Sequence, residues 1–172
     1  MKALRFGALF GCVFVLLTLP ALATDRIKLM GPMKGLKKLA IELVVSPVDD
    51  ARECGLERNA ILGAAGPPME TMGIKTDVRG QASVYRVRLL VNMDGGRCTA
   101  YVSSELLVTM PLYMPHMGPA NEAYLPTSTV RLWSAGELVI LPVEGFAAYV
   151  VDLVGRHAES FAVRWQKDNN AS

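Results

Sequence analysis

The chain has few of the residue types on which catalytic and metal sites are usually built. Its 172 residues include two histidines and three cysteines. The sequence also lacks a Walker loop, a G-x-G-x-x-G fingerprint and a G-x-S-x-G nucleophile elbow. An enzyme needs a base, a nucleophile or a bound cofactor. These absences argue against catalysis, and we expect a protein that works by binding.

The N-terminus carries the three parts of a secretory signal. Lys2 and Arg5 precede an apolar run, Pro20 ends that run, and Ala21-Leu22-Ala23 forms an A-x-A cleavage site. The run is short for a membrane span of about 20 residues, which argues against an uncleaved anchor. We predict that residues 1–23 are a cleaved signal peptide and that the mature protein is periplasmic or secreted, with no transmembrane segment after cleavage.

The charge balance gives no sign of a nucleic-acid partner. The full chain has 18 basic and 16 acidic side chains, and loss of Lys2 and Arg5 with the signal leaves 16 of each. A nucleic-acid-binding domain shows a marked basic excess. The one basic cluster spans residues 24–38. We interpret it as a solvated arm, with a leader segment at residues 24–35, rather than as a patch for an acidic lipid or partner.

Two cysteines, Cys54 and Cys98, remain after signal cleavage. They lie 44 positions apart, whereas a redox or metal pair more often shows a close spacing such as C-x-x-C. An exported protein also enters an oxidising compartment. We predict that the two cysteines form a disulfide.

The first half of the chain predicts a strand and a helix. Apolar residues alternate over residues 39–45, which is typical of a strand with one buried face. The stretch 46–66 reads as a turn followed by a helix, and Asp49 or Asp50 is a suitable cap. Gly66-Pro67-Pro68 is expected to interrupt this helix, because proline in a helix interior causes a kink. A second short helical turn then ends at Gly73.

Residues 81–110 predict a long β-hairpin around Asp94-Gly95-Gly96. Apolar and polar residues alternate on both arms, with Arg86 and Arg88 on the polar side. A two-residue loop, either Asp94-Gly95 or Gly95-Gly96, places Cys98 on the apolar side. A three-residue loop places it on the opposite side, so we expect two.

The last third of the chain predicts two strands, near residues 129–133 and at 138–141, joined by a Ser-Ala-Gly turn at 134–136. A C-terminal helix follows, and Pro142 suits its first turn. One stripe of that helix recurs every three or four positions, and its histidine is expected in the core or at an interface: Phe146, Val150, Leu153, His157, Phe161 and Trp165. A disordered tail is expected at 168–172.

The resulting order is β-α-β-β-β-α over a single domain at residues 36–167. It predicts an α+β two-layer sandwich, with helices on one face of a mainly antiparallel sheet. In this topology Cys54 and Cys98 fall at the same end of the sheet, which supports their pairing.

The segments "ECGL" and "GGRCTAYVSSEL", with the C-terminal amphipathic helix, resemble a group of small exported proteobacterial proteins of unknown function. The resemblance spans roughly residues 36–165, and Gly66-Pro67-Pro68 departs from the unbroken helix it implies. The general architecture is similar to the small α/β domains of envelope assembly factors. The resemblance implies no activity.

We therefore predict a non-catalytic interaction or accessory module of the cell envelope that docks a protein partner. The candidate surface is the polar side of the hairpin, with Arg86, Arg88, Tyr101 and Glu105 as the partner-binding residues. This surface is available only if no second layer of the chain covers it.

The alternative function is that of a periplasmic Cu(I)-binding protein. Met110, Met114, His116 and Met117 fall within eight positions, and thioether sulfurs select Cu(I) while imidazole accepts it. The plainer interpretation of the same stretch is a proline-stiffened apolar hairpin. No other cofactor is expected.

Overall fold

The computed structural model describes residues 33–76, 81–111 and 127–170, so the predicted signal peptide at 1–23 lies outside the described part. The elements within it are β1 (Ala40–Ser46), α1 (Val48–Glu53), α2 (Arg58–Thr71), β2 (Ser83–Asp94), β3 (Arg97–Pro111), β4 (Thr127–Pro142) and α3 (Val143–Asn170). The predicted α+β class is confirmed.

The four strands form one sheet in the order β1-β2-β3-β4. β1 pairs with β2 in parallel, and β2, β3 and β4 pair as an antiparallel meander. Gly95 and Gly96 form the two-residue turn of the first hairpin, with φ of +54° and +78°. Positive φ at both central positions is the requirement of a type I′ turn, and glycine adopts it without steric cost. Met93 consequently pairs with Cys98, and Cys98 is buried, as predicted.

The helices cover one face of the sheet, and the core lies between the two layers. Alternate residues of β2 and β3 point into that core and are buried: Tyr85, Val87, Leu89, Val91, Cys98, Ala100, Val102, Ser104 and Leu106. The predicted apolar stripe of α3 packs against them, and its members are buried except for the partly buried Trp165. An aromatic cluster fills one end, where the ring centroids of Tyr85, Trp133 and Phe161 lie 5.2–6.0 Å apart.

The predicted disulfide is present between Cys54 and Cys98. Cys54 is the C-cap residue that follows α1, and Cys98 is the second residue of β3. The bond therefore joins the helical layer to the sheet at the end where the first hairpin turns. Neither side chain is exposed to solvent.

The predicted helix after β1 is two helices, and the break lies before the prolines rather than at them. α1 ends at Glu53 and Gly55 has φ +74°, whereas α2 continues through Pro67 and Pro68 to Thr71. Each proline removes one N–H donor, but both lie in the last turns of α2, where it packs against α3. Tertiary packing therefore holds the helix together across the prolines.

The predicted cap of the first helix is also wrong. Pro47 occupies the N-cap position. Asp49 and Asp50 lie in the first turn, where acidic side chains interact favourably with the helix dipole. The Asp50 carboxylate instead accepts a hydrogen bond from the backbone N–H of Met93 at 3.3 Å. It thereby ties α1 to β2.

The predicted Ser-Ala-Gly turn does not exist. β4 is a single strand of 16 residues, and Ser134, Ala135 and Gly136 pair with Glu105, Ser104 and Ser103 of β3. The long neighbouring strand supplies a partner along the whole of this stretch, and that pairing outweighs the local turn propensity.

The domain extends beyond both predicted boundaries. Met33, expected in the leader, is only 1% exposed, and α3 runs to Asn170 into the predicted tail. The Asn169 side chain accepts a hydrogen bond from Gly35 N–H at 2.8 Å and donates one to the carbonyl of Met33 at 3.1 Å. The two ends of the domain are thus linked by hydrogen bonds.

The start of the last helix also differs from the prediction. Pro142, expected in the first turn of α3, is the last residue of β4.

Candidate functional site

The four predicted partner-binding residues lie together on the side of the sheet that faces away from the helices. We call this side the open face, because no element in the described ranges packs on it. Its outward side chains come from all four strands: Glu42, Arg86, Arg88, Leu90, Thr99, Tyr101, Ser103, Glu105, Arg131, Ser134, Leu138 and Ile140. The surface on which the predicted site depends is therefore uncovered in this part of the chain.

Arg86 is held firmly at one end of the open face. It pairs across β1–β2 with Glu42 and across β2–β3 with Glu105. Its Nε donates a hydrogen bond to Glu42 Oε2 at 2.8 Å, and its Nη1 lies 3.7 Å from Glu105 Oε1. A charge-assisted hydrogen bond of this length fixes the guanidinium in place.

Glu105 is the centre of the charge network. Its carboxylate lies 3.7 Å from Arg86, 4.0 Å from Arg88 and 3.7 Å from Arg131, and its side chain is only 16% exposed. These distances exceed a hydrogen bond, so one carboxylate attracts three guanidinium groups without satisfying their donors. The network therefore contains three arginines against the carboxylates of Glu42 and Glu105, and its net charge is positive.

Arg131 reaches this network because β4 carries a β-bulge. Leu106 pairs with Trp133 and Leu107 with Arg131, which leaves Leu132 as the extra residue. The insertion reverses the alternation of sides along β4. As a result Trp133 points into the core, while Arg131 and Ser134 both point to the open face.

An apolar row crosses the open face next to the charges. Leu90 pairs with Tyr101, and Tyr101 pairs with Leu138, so the three side chains stand side by side on β2, β3 and β4. They are 50%, 46% and 61% exposed, and Ile140 beside them is 56% exposed. Large apolar side chains grouped on a surface mark an interaction site more often than single ones do.

A small cavity lies where the charges and the apolar row meet. It has a volume of about 240 Å³, and its polar lining includes Arg88, Arg131, Ser103, Glu105 and Ser134. Gly136 also lines it, and Tyr101 forms one wall. We refer to this space as the sheet-face cavity.

Ser104 and His157 form the second polar group, inside the core. Ser104 Oγ lies 3.2 Å from His157 Nδ1, and the two side chains are 0% and 8% exposed. Burial lowers the pKa of His157, and the nearby Glu137 carboxylate opposes that effect. A substrate cannot reach a serine that the core covers completely, so this contact joins α3 to β3 and forms no hydrolase site. The predicted core position of His157 is confirmed.

Tyr85 lies beside this pair. Burial raises its pKa, and the neighbouring Ser104 hydroxyl opposes that effect. Its hydroxyl nevertheless has no partner at hydrogen-bond geometry among the residues that the structure describes.

The predicted metal ligands are mostly outside the described residues. Met110 lies near the end of β3, opposite Ser128, and is partly buried, whereas Met114, His116 and Met117 fall in the stretch 112–126. Within residues 33–76, 81–111 and 127–170 no three His, Cys, Asp or Glu side chains gather to hold a metal ion. The Cu(I) hypothesis stays a prediction.

Sequence reasoning missed several residues of the open face. Glu42 and Leu90 belong to β1 and β2, whose alternation was readable, so their side could have been assigned from the sequence. The side of Leu138 depends on how β4 pairs with β3. Arg131 could not have been assigned, because its side depends on a bulge that leaves no pattern in the sequence.

No protein-family model matches the sequence, and a search of curated proteins finds no match. Among solved structures, the chain is similar to a minor lipoprotein from Acinetobacter baumannii at 13% identity and a TM-score of 0.34, covering 78% of this chain and 94% of that one. It is also similar to a PelC dodecamer from Paraburkholderia phytofirmans at 12% identity and a TM-score of 0.37, covering 77% and 87%. We draw no functional conclusion from either.

None of the helices in the described ranges combines the length and the apolar character that a membrane crossing requires.

Proposed function

We propose that the protein is an accessory module of the cell envelope that binds a protein partner through the open face and performs no chemistry of its own. The observation that carries this proposal is the uncovered apolar row of Leu90, Tyr101 and Leu138 beside the arginines of the Glu105 network. Aromatic and arginine side chains are enriched in protein interfaces.

The size of the open face suits a protein partner. Strands lie about 4.8 Å apart and rise about 3.3 Å per residue, so four strands of 7, 12, 15 and 16 residues present a surface on the order of 800 Å². A standard interface buries about 800 Å² on each partner. The open face therefore offers about the area that a standard interface buries on one partner.

The envelope location rests on the predicted signal peptide and agrees with the disulfide. Cys54 and Cys98 are bonded, and disulfides persist in oxidising compartments such as the periplasm. Mass spectrometry of the exported protein tests this part. We expect a mature chain that begins at Thr24, and an intact precursor would contradict it.

Photo-crosslinking in living cells tests the binding surface. A photoreactive amino acid is placed at Leu138 on the open face or at Val163 on α3, which are 61% and 58% exposed. We expect a discrete adduct with a partner protein from position 138 and none from position 163. Equal adducts from both positions, or none from position 138, would show that the open face is not the binding surface.

A charge reversal gives the matched control. Arg88→Glu changes the open face, and Arg58→Glu makes the same change on α2, where Arg58 is exposed. The adduct at position 138 should weaken with Arg88→Glu and persist with Arg58→Glu, while both variants keep the melting temperature of the wild type.

A further inference from the structure

The chemical class of the partner can be inferred from the sheet-face cavity, and this inference rests on the proposed function. We propose that the cavity receives a carboxylate of the partner protein, from an Asp or Glu side chain, and that an apolar residue next to that carboxylate packs on the row of Leu90, Tyr101 and Leu138.

Two arginines of the cavity have unused hydrogen-bonding capacity. The Arg88 and Arg131 side chains are 46% and 63% exposed, and their nearest acidic oxygens, on Glu105, are 4.0 and 3.7 Å away. Neither guanidinium makes a hydrogen bond to a side chain in the described part of the protein. Arg86 differs, because its Nε already donates to Glu42. The planar donors of arginine match a carboxylate, so Arg88 and Arg131 are suited to bind one.

The dimensions of the cavity select a small group. About 240 Å³ is less than the roughly 300 Å³ at which pockets for drug-sized ligands begin, but it accommodates a single acidic side chain. The hydroxyl groups of Ser103 and Ser134 lie in the lining and provide further donors. Gly136 has no side chain, and the Tyr101 ring lies over it as one wall of the cavity.

The neighbouring surface indicates a protein rather than a free anion. The apolar row continues directly from the cavity, since Leu90 and Tyr101 belong to both. A free anion would contact only the arginines and leave the apolar row in water. A polypeptide supplies an acidic side chain and an apolar neighbour together, and burying the apolar row stabilises that complex.

Glu105 acts as an internal competitor for the same arginines. It holds Arg88 and Arg131 near the cavity and neutralises part of their charge. Glu105→Gln removes that negative charge while the shape of the side chain is kept. Partner binding should therefore become tighter in this variant, a result that a purely structural role of Glu105 would not give.

The test uses two short amidated peptides and the disulfide-intact mature protein. One peptide places a glutamate between two leucines, and the other has glutamine in its place. Binding is followed by the amide chemical shifts of the protein in NMR titrations. We expect the glutamate peptide to shift the amides of Arg88, Ser103 and Gly136. We expect it to bind about tenfold more tightly than the glutamine peptide, because hydrogen bonds to charged groups are the strong ones.

Variants then assign the effect to the cavity. The preference for glutamate should disappear in the double variant Arg88→Gln, Arg131→Gln and should increase in Glu105→Gln. Arg58→Gln on α2 serves as the matched control and should leave the titration unchanged.

Three results would overturn the inference. The first is equal binding of the two peptides, the second is no binding of either, and the third is inorganic phosphate alone producing the same shifts as the glutamate peptide. If any of these occurs while the crosslink at position 138 still captures a partner, the proposed function stands and only the acidic group is wrong. Loss of the crosslink itself would instead contradict the proposed function.

Discussion

Tyr101 lies across Gly136 on the neighbouring strand, so close that a Cβ atom added to Gly136 would stand 2.5 Å from the tyrosine hydroxyl oxygen and 3.1 Å from Cζ. Real Cβ atoms do not approach that closely. The absence of a side chain at Gly136 thus permits the position of Tyr101, which is a wall of the sheet-face cavity.

Gly136→Ala should alter binding more than stability. The hydroxyl end of Tyr101 can swing aside, and alanine suits a strand no worse than glycine does, so the free energy of unfolding should change by less than about 1 kcal/mol. The crosslink from position 138 should weaken, because the displaced ring no longer lines the cavity. Urea denaturation and the crosslinking yield measure the two effects. An unchanged yield would show that the ring position is irrelevant to binding.

Removing the disulfide should destabilise the domain strongly. Cys54 and Cys98 are 44 positions apart, and in the chain-entropy model a loop of that length contributes about 4 kcal/mol. The double variant Cys54→Ala, Cys98→Ala should therefore unfold at a clearly lower urea concentration than the oxidised wild type. The reduced wild type, in which both thiols remain, is the control for the lost side-chain volume. Two free thiols in the natively purified protein would contradict the prediction.

His157 should make the stability depend on pH. Burial lowers its pKa in the folded protein below the ordinary value of 6.5, although Glu137 opposes the shift and Arg156 reinforces it. Well above pH 6.5 the ring is neutral in both states and contributes no pH dependence. As the pH falls below that value, the unfolded chain binds the proton first, so stability is lost.

His157→Gln provides the comparison for this effect. Glutamine retains an amide for Ser104 but does not titrate, so the loss of stability between about pH 6.5 and 5 should be smaller in the variant. Thermal denaturation at a series of pH values measures it. Parallel curves for the two proteins would exclude His157 as the cause.

Tyr85→Phe should leave the protein equally stable or more stable by about 1 kcal/mol. The Tyr85 hydroxyl is buried and unpaired in the described part of the chain, and a buried polar group without a partner costs about 1–3 kcal/mol. Phenylalanine keeps the ring contacts with Trp133 and Phe161. Ser104→Ala, which removes the contact with His157, is the contrasting variant and should destabilise. A marked loss of stability in Tyr85→Phe would indicate a hydrogen bond to this hydroxyl.

The parts of the fold that could be predicted are those that local chemistry determines. Alternation along β2 and β3 assigned Arg86, Arg88, Tyr101 and Glu105 to one side, because the side-chain period of a strand is two and the Gly95-Gly96 turn fixes the register. The stripe on α3 was equally clear, since spacing of three and four residues is the helical period.

The parts that could not be predicted depend on distant contacts. Pro67 and Pro68 remain helical because α2 packs on α3, and no local pattern reveals that packing. Ser134 to Gly136 form a strand because β3 lies beside them. The candidate site was therefore predicted on β2 and β3 and missed on β4, the strand whose course is decided by its neighbour.

The bulge at Leu132 has a consequence for aggregation. β4 lies at the margin of the sheet, is 16 residues long and pairs only with β3 in the described part of the chain. A long straight edge strand is a template on which other chains add, and proteins prevent this with bulges, prolines and charges. β4 has all three, in Leu132, Pro142 and the side chains of Arg131 and Glu137. The inserted residue that brings Arg131 to the cavity thus also discourages fibre-like assembly, and deleting it should lower the solubility of the protein.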